Sequence, residues 1–227
     1  MKRVWITRTE PGASQLGSHL AKAGFLPLVA PAVKIQSVDG SPPTESIDCW
    51  TFLSVHAVLS AMEMGWNSFG TCVAIGPATQ NALRQYTAST LVPDEHTSEG
   101  LFELLQNKLK SGSRICLVAG KNGRKDLEVW LSDVGFDVVR WPVYERMQQP
   151  VQVDASKLHA VIASSAFVLP VILDTLRQQH LIWHNHPPLV VPSERIAGHA
   201  RELGFRNVLV SEGASNSAVR STLENQI

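Results

Sequence analysis

Short apolar runs rich in β-branched residues recur along the chain, and between them apolar positions fall three and four residues apart. The runs are RVWIT around Val4, FLPLVA around Leu28, CWTFL around Phe52, TCVAI around Val73 and TLV around Leu91. They continue with RICLV around Leu117, DVVRW around Val138, HAVIA around Val161, PLVV around Val190 and NVLV around Leu209. Several are apolar throughout rather than alternating, as strands covered on both faces must be, and this predicts parallel sheets. Helical stripes lie between them: Leu16, Leu20 and Ala23; Leu101, Leu104, Leu105 and Leu109; Leu127, Trp130, Leu131 and Val134; and Ile196, Ala200 and Leu203. Pro11 and Pro77 suit first helical turns, and Ser98 suits a cap. Pro170 interrupts the helix expected after Ser165.

One phrase joins these patterns. An apolar helix end, Gly-Phe and a strand follow one another in AGFLPLV at Gly24, VGFDVVRW at Gly135 and LGFRNVLV at Gly204. A glycine in the left-handed position after a helix stops it, and the following Phe packs back as the chain turns into a strand. Convergence on a common αβ connection and internal duplication both produce such a phrase, and both imply α/β architecture.

About ten strands are many for one sheet in a chain of this length, so two sheets of about five are expected. Two proline-marked segments suit crossings between them, PAVKIQSVDGSPPTE after Pro31 and WPVYERMQQPVQV around Tyr144. The second lobe is then an insertion within the first. The expected division is 1–35 plus 149–227 for the first lobe, 39–142 for the second, and connectors at 36–38 and 143–148.

Composition narrows the function classes. The 227 residues include 44% hydrophobic residues, enough for a sizeable core and too many for disorder. Lys+Arg and Asp+Glu balance at 20 each, so no overall field draws nucleic acid or membrane, and an anionic ligand must be held by local geometry. Cys49, Cys72 and Cys116 lie far apart in apolar runs, which argues for buried reduced thiols rather than disulfides or zinc. MKRVWITRTEPG lacks the apolar core of a signal peptide, and no run has the length of a membrane span. The expected compartment is the cytoplasm.

Candidate chemistry sits in the turns after the strands, where ligands of such sheets bind: ITRTEPG, LSVHAV, AIGPATQ, VAGKNGR, ASSAF and VPSER. They are rich in Ser, Thr, Gly and Arg, and helix-opening N–H groups bind anions without net positive charge, although Ser and Thr there also serve simply as caps. Gly120-Lys121-Asn122-Gly123-Arg124 has the look of a phosphate cradle but not the GxxxxGK[ST] order, and no GxGxxG follows the first strand. Ser164-Ser165 lacks the GxSxG elbow. Trp183-His184-Asn185-His186 has no accompanying carboxylate or Cys cluster and reads as a loop rather than a metal site. His56, at a helix start, faces either ligand or solvent. Tyr144, in a suspected inter-lobe strand, either presents its phenol to a cleft or packs at a domain junction. No familiar nucleophile, metal or redox centre emerges. What fits is a reaction needing mainly orientation of an anionic substrate and one weak acid.

Taken in order, VWITRTEPGASQLGSHLAKAGF, FLSVHAV, VAIGPATQNAL, VPDEHTSEGL, RICLVAGKNGRKDLEVWLSDVGFDVVRWPVYER, HAVIASS and VVPSERIAGHARELGF resemble the uroporphyrinogen-III synthase family over nearly the whole chain. The combination of TRTEP, IGPAT, TSEGL, GKNGR, VYER and PSER carries the specificity. The resemblance implies two Rossmann- or flavodoxin-like lobes with parallel sheets, joined by a two-stranded connector, with the active site in the cleft. It implies a monomer with no cofactor and no metal, acting in heme biosynthesis on the linear tetrapyrrole hydroxymethylbilane. Loss of the terminal hydroxyl as water gives an azafulvene. Ring D then attacks through its substituted carbon, and the resulting spiro intermediate fragments and closes with ring D inverted.

Tyr144 matches the family's tyrosine and is the expected catalytic residue, assisting the leaving group directly or through water. Expected substrate contacts are Arg8, Ser54, His56, Gly76, Pro77, Ala78, Thr79, Gly120, Lys121, Asn122, Ser164, Ser165, Ser193 and Arg195. The chain departs from the family at the PSER turn, where many relatives have a Gly-Pro-Thr type turn, and at Ala119, where an Arg is common. Whether hydroxymethylbilane synthase hands over the bilane directly is left open by the sequence. Two rival readings share the fold: a two-lobed non-enzymatic binding protein for a small anionic ligand, and a nucleotide-dependent Rossmann enzyme.

Overall fold

A computed structural model describes residues 1–67, 70–181 and 186–227. Trp183, His184 and Asn185 therefore lie outside the described residues. The chain divides into two compact units, Met1–Lys34 with Met147–Ile227, and Ile35–Arg146.

The first unit is built on strands β1 (Arg3–Ile6), β2 (Leu26–Val29), β8 (Ala160–Ile162), β9 (Leu189–Val191) and β10 (Val208–Val210), in the order β10-β9-β8-β1-β2. All neighbouring pairs are parallel. Helices α1 (Gly12–Lys22), α6 (Leu169–Gln178), α7 (Glu194–Glu202) and α8 (Asn216–Gln226) cover it. Strand β1 shows why its run is apolar throughout. Val4 and Ile6 pack on one face with Leu16, Leu20, Val219 and Leu223, while Trp5 packs on the other with Leu169, Ile172 and Ile196. Each such fully buried aliphatic side chain contributes roughly 1.5–3 kcal/mol.

The second unit repeats the plan. Strands β3 (Val33–Ser37), β4 (Cys49–Phe52), β5 (Thr71–Ala74), β6 (Arg114–Gly120) and β7 (Asp137–Gln148) run in the order β3-β7-β6-β4-β5. The β4–β5, β4–β6 and β6–β7 pairs are parallel. Helices α2 (Val55–Glu63), α3 (Pro77–Leu83), α4 (Ser98–Lys108) and α5 (Asp126–Asp133) complete the unit. Cys116 and Val118 of β6 join a core with Trp50, Phe52 and Trp66, whereas Ile115 and Leu117 face Leu101, Leu105 and Leu131. The division between units falls within β3 and within β7.

The Gly-Phe phrases end their helices as the sequence implies. Gly24, Gly135 and Gly204 have φ of 85°, 89° and 102°. The amides of Phe25, Phe136 and Phe205 reach back to the carbonyls of Leu20, Leu131 and Ala200, and all three rings are buried. This is the Schellman arrangement.

Several local expectations are corrected. Leu91 forms only a single bridge, to Val73. The strand missed in the sequence is β3, whose polar Lys34 and Gln36 suit the sheet edge it occupies. DVVRW and WPVYER form one continuous strand, β7. Thr97, not Ser98, caps α4, its hydroxyl accepting the Gly100 N–H at 3.1 Å. Pro170 does not break a helix: after a 3-10 turn over Ala166–Val168 it lies in the opening turn of α6, where no N–H is needed. Pro11 precedes α1 as its cap residue. Leu203 and Val134, each the residue after a last helical turn, remain exposed.

Candidate active site

In each sheet the strand order reverses beside a central strand, between β1 and β8 in one and between β4 and β6 in the other. The turns beyond the carboxyl ends at such a point diverge and leave room for a ligand.

In the second unit a register shift delivers the tyrosine. The β6–β7 pairing runs from Ala119 opposite Pro142 to Gly120 opposite Tyr144, passing over Val143. Pro142 has no N–H to give the ladder, so an irregularity is the place for it in an internal strand. The shift sets the Tyr144 carbonyl to accept the Lys121 N–H at 2.7 Å and lays the phenol ring over Gly120. A Cβ at Gly120 would stand 2.9 Å from Tyr144 Cζ, so this close approach requires glycine. The ring is buried in the core, and its hydroxyl lies 3.0 Å from Ser54 Oγ.

Ser54 is the cap of α2, and its Oγ accepts the Ala57 N–H at 3.0 Å. That bond leaves the serine's own hydrogen and a second lone pair for Tyr144. The pair can thus serve the phenol in both states, accepting from it while it holds its proton and donating to it once the proton is lost. His56 lies edge-on to Tyr144, with ring centroids 5.7 Å apart. Burial, and secondarily the charge of Arg146, hold its imidazole below the ordinary 6.5.

The other expected residues of this unit occupy neighbouring turns. Gly76 caps α3, with exposed Pro77 and Ala78 in its first turn and Thr79 buried behind them. A Cβ at Gly76 would meet the His96 ring at 3.3 Å. Gly120, Lys121 and Asn122 form the turn after β6, where the exposed Lys121 ammonium lies 3.5 Å from the Glu145 carboxylate. Arg140 organises this turn from below, a role the sequence reading missed. Its guanidinium donates to the carbonyls of Gly120 and Arg124, both at 3.2 Å, and approaches Glu128 at 3.4 Å. The signal was present as a charge within the apolar run VVRWPV, since an arginine half-buried in a strand needs acceptors.

In the first unit the sequence-predicted Arg8 and Ser164 meet at the switch between β1 and β8. Arg8 Nε donates to Ser164 Oγ at 3.1 Å, Nη1 to Asn216 Oδ1 at 3.1 Å and Nη2 to the Ala214 carbonyl at 2.9 Å. Neither Ala214 nor Asn216 was anticipated, and contacts over such separations leave no local trace. Ser165 and Ser193 stand at helix starts, yet neither side chain caps its helix, in contrast to Ser54 and Ser215. Their hydroxyls are not committed to that structural use. Arg195 is exposed in the first turn of α7.

Other groups are accounted for structurally. His186 is buried, accepting the Arg206 N–H at Nε2 and so donating from Nδ1 to the Pro187 carbonyl. Burial pushes the Cys49 and Cys116 thiols up to about 12 and also raises Cys72. Among the described residues no His, Cys, Asp and Glu side chains gather in a group able to hold a metal, and no helix is long and apolar enough to cross a membrane.

The profile of the family described as Uroporphyrinogen-III synthase HemD matches residues 14–219. The uroporphyrinogen-III synthase of Escherichia coli K12 is 26% identical over 246 aligned positions, covering 97% of this chain and 99% of that protein. Among solved structures, the uroporphyrinogen-III synthetase of Helicobacter pylori superposes with a TM-score of 0.69 at 14% identity, covering all of both chains. A mutant uroporphyrinogen III synthase of Thermus thermophilus gives 0.53 at 16% identity, over 99% of this chain and 96% of that one. The structural likeness carries the fold, and the sequence match carries the family.

Proposed function

The chain belongs to the uroporphyrinogen-III synthase family, and from that premise we propose that Tyr144 assists departure of the terminal hydroxyl of hydroxymethylbilane. The protein is an enzyme of tetrapyrrole biosynthesis, a cyclising lyase that closes this bilane to uroporphyrinogen III with inversion of ring D. The observation that most supports the role of Tyr144 is its hydroxyl, 3.0 Å from Ser54 Oγ.

The reaction asks little of a protein nucleophile, because the pyrrole carbon is itself the nucleophile. The Tyr144 O–H gives its proton to the departing hydroxyl, which leaves as water while the adjoining pyrrole nitrogen supplies the electron pair and keeps its hydrogen, forming the azafulvene in its N-protonated, cationic form. Ser54 donates to the phenolate left behind. Ring D attacks through its substituted carbon, the spiro intermediate fragments, and closure with ring D inverted ends in loss of a ring proton that restores the phenol. Inverted closure competes with spontaneous uninverted closure, so orientation of the bilane decides the product.

The donors for its carboxylates are proposed to be Arg8, Ser164, Ser165, Ser193 and Arg195 in the first unit. In the second they are His56, the Gly76–Thr79 turn and the Gly120–Asn122 turn. We place the enzyme in the cytoplasm as a monomer, with the labile bilane handed over transiently by hydroxymethylbilane synthase. The expected lobes, 1–35 with 149–227 and 39–142, are proposed to act as the two substrate-holding bodies.

The test generates hydroxymethylbilane enzymatically, adds this protein, oxidises the products and separates the uroporphyrin isomers. Predominant isomer III is expected. Isomer I at the protein-free level, from a folded sample beside a working control, would overturn the assignment and favour a non-enzymatic binder of small anions.

A further inference from the structure

The first unit holds a cation that no described residue neutralises. Arg8 is partly buried, and its three bonded partners are a hydroxyl, a side-chain amide and a backbone carbonyl, all uncharged. No carboxylate pairs with it among the described residues, whereas Arg114, Arg140, Arg201 and Arg220 each have one. Burial lowers the pKa of Arg8, so the charge carries a desolvation cost with no anion among the described residues paired to offset it. Three of the five guanidinium N–H bonds are used, which fixes the plane of the fork and leaves two donors for a ligand. Ser164 accepts from Arg8, so its hydroxyl hydrogen is also free to turn toward an anion. The stem is guided too: a Cβ at Gly12 would stand 3.0 Å from Arg8 Cδ.

Asn216 is the informative residue. It opens α8 just after the cap Ser215, a place where an acidic side chain is favoured by the helix dipole. An aspartate has the same shape, would accept the same bond at 3.1 Å, and would neutralise Arg8. For stability alone it is the better choice. On the reading that the ligand is a polycarboxylate bilane, we infer that Asn216 is a positioning residue: it orients the Arg8 fork while leaving its charge for a substrate carboxylate.

The substitution Asn216→Asp separates this role from a structural one. A structural contact gains from the added ion pair, so melting temperature holds or rises and kinetics stay as they are. A reserved charge is lost, and KM for hydroxymethylbilane rises about tenfold with kcat within twofold. Asn216→Ala keeps the charge but frees the fork, and raises KM by a smaller factor. An Asp variant with wild-type KM, or with kcat lowered at unchanged KM, overturns the inference. If the Asp variant misfolds, an unchanged KM in the Ala variant overturns it equally. Wild-type turnover measured alongside distinguishes the failures, because a folded wild type making no isomer III overturns the reaction and not the role of Asn216. Citrate, a tricarboxylate probe, then reads the site without turnover: it is expected to raise the melting temperature of the wild type more than that of N216D, and equal shifts overturn the inference.

Discussion

In Tyr144 packing and the proposed chemistry are divided within one side chain, the ring belonging to the core of the second unit and the hydroxyl to the turn at Ser54. Substitution by Phe keeps the first and removes the second. Tyr144→Phe should therefore fold normally while isomer III formation falls about a hundredfold, the range expected for loss of one general acid. Activity is expected to persist above background, since the proposed carboxylate contacts are untouched by the substitution. The coupled isomer assay checks this, and wild-type turnover would remove Tyr144 from the mechanism. Tyr144 was visible in the sequence through the VYER motif, but its setting was not. Neither the shift in pairing that places it over Gly120 nor the serine that holds its hydroxyl is implied by spacing. Arg8 was likewise legible in TRTEP, while Asn216 lies 208 positions away and meets it only because α8 returns to the end of β1.

The helix ends carry a further test. The amide pattern of the Gly-Phe phrases recurs at Gly65-Trp66, where Trp66 N–H reaches the Ala61 carbonyl, and at His180-Leu181, where Leu181 N–H reaches Leu176. His180 is the one described non-glycine residue with positive φ, at 58°, and it is exposed. A side chain in that conformation costs about 1–2 kcal/mol, part of which glycine returns as unfolded-state entropy. His180→Gly is expected to stabilise the protein by about 0.5–1 kcal/mol, read as a higher urea midpoint at unchanged slope. A lower midpoint would mean that the imidazole has a use the backbone does not reveal. At this scale the sequence was most readable where composition and geometry coincide, as in buried β1, β4 and β6. It was least readable at β3, where an edge strand tolerates polar residues and resembles a linker, and at Pro170, where a helix breaker and a helix starter are the same residue.

The balance of 20 cationic and 20 anionic residues gives no net charge to draw in a polycarboxylate substrate, so the proposed binding must rest on locally placed donors. The units depend on the chain differently. Residues 35–146 are contiguous and contain nearly all of sheet β3-β7-β6-β4-β5. The first unit takes the internal strand β1, the edge strand β2 and the core residues Val4, Ile6, Leu16 and Leu20 from before position 35, and β8, β9 and β10 from after position 146. A fragment spanning 35–146 should fold alone, and one spanning 147–227 should not, since β8 then loses β1 and one face loses its core. All three cysteines lie on β4, β5 and β6 of the contiguous unit, buried and with raised pKa values. Because the thiolate is the reactive form, iodoacetamide labelling in native buffer measures how often that sheet opens. In the 35–146 fragment labelling should be about a thousandfold slower than in urea, as a stable domain requires. Labelling at the urea rate would show that the contiguous sheet depends on the rest of the chain, and that each unit's stability cannot be assigned to its own core.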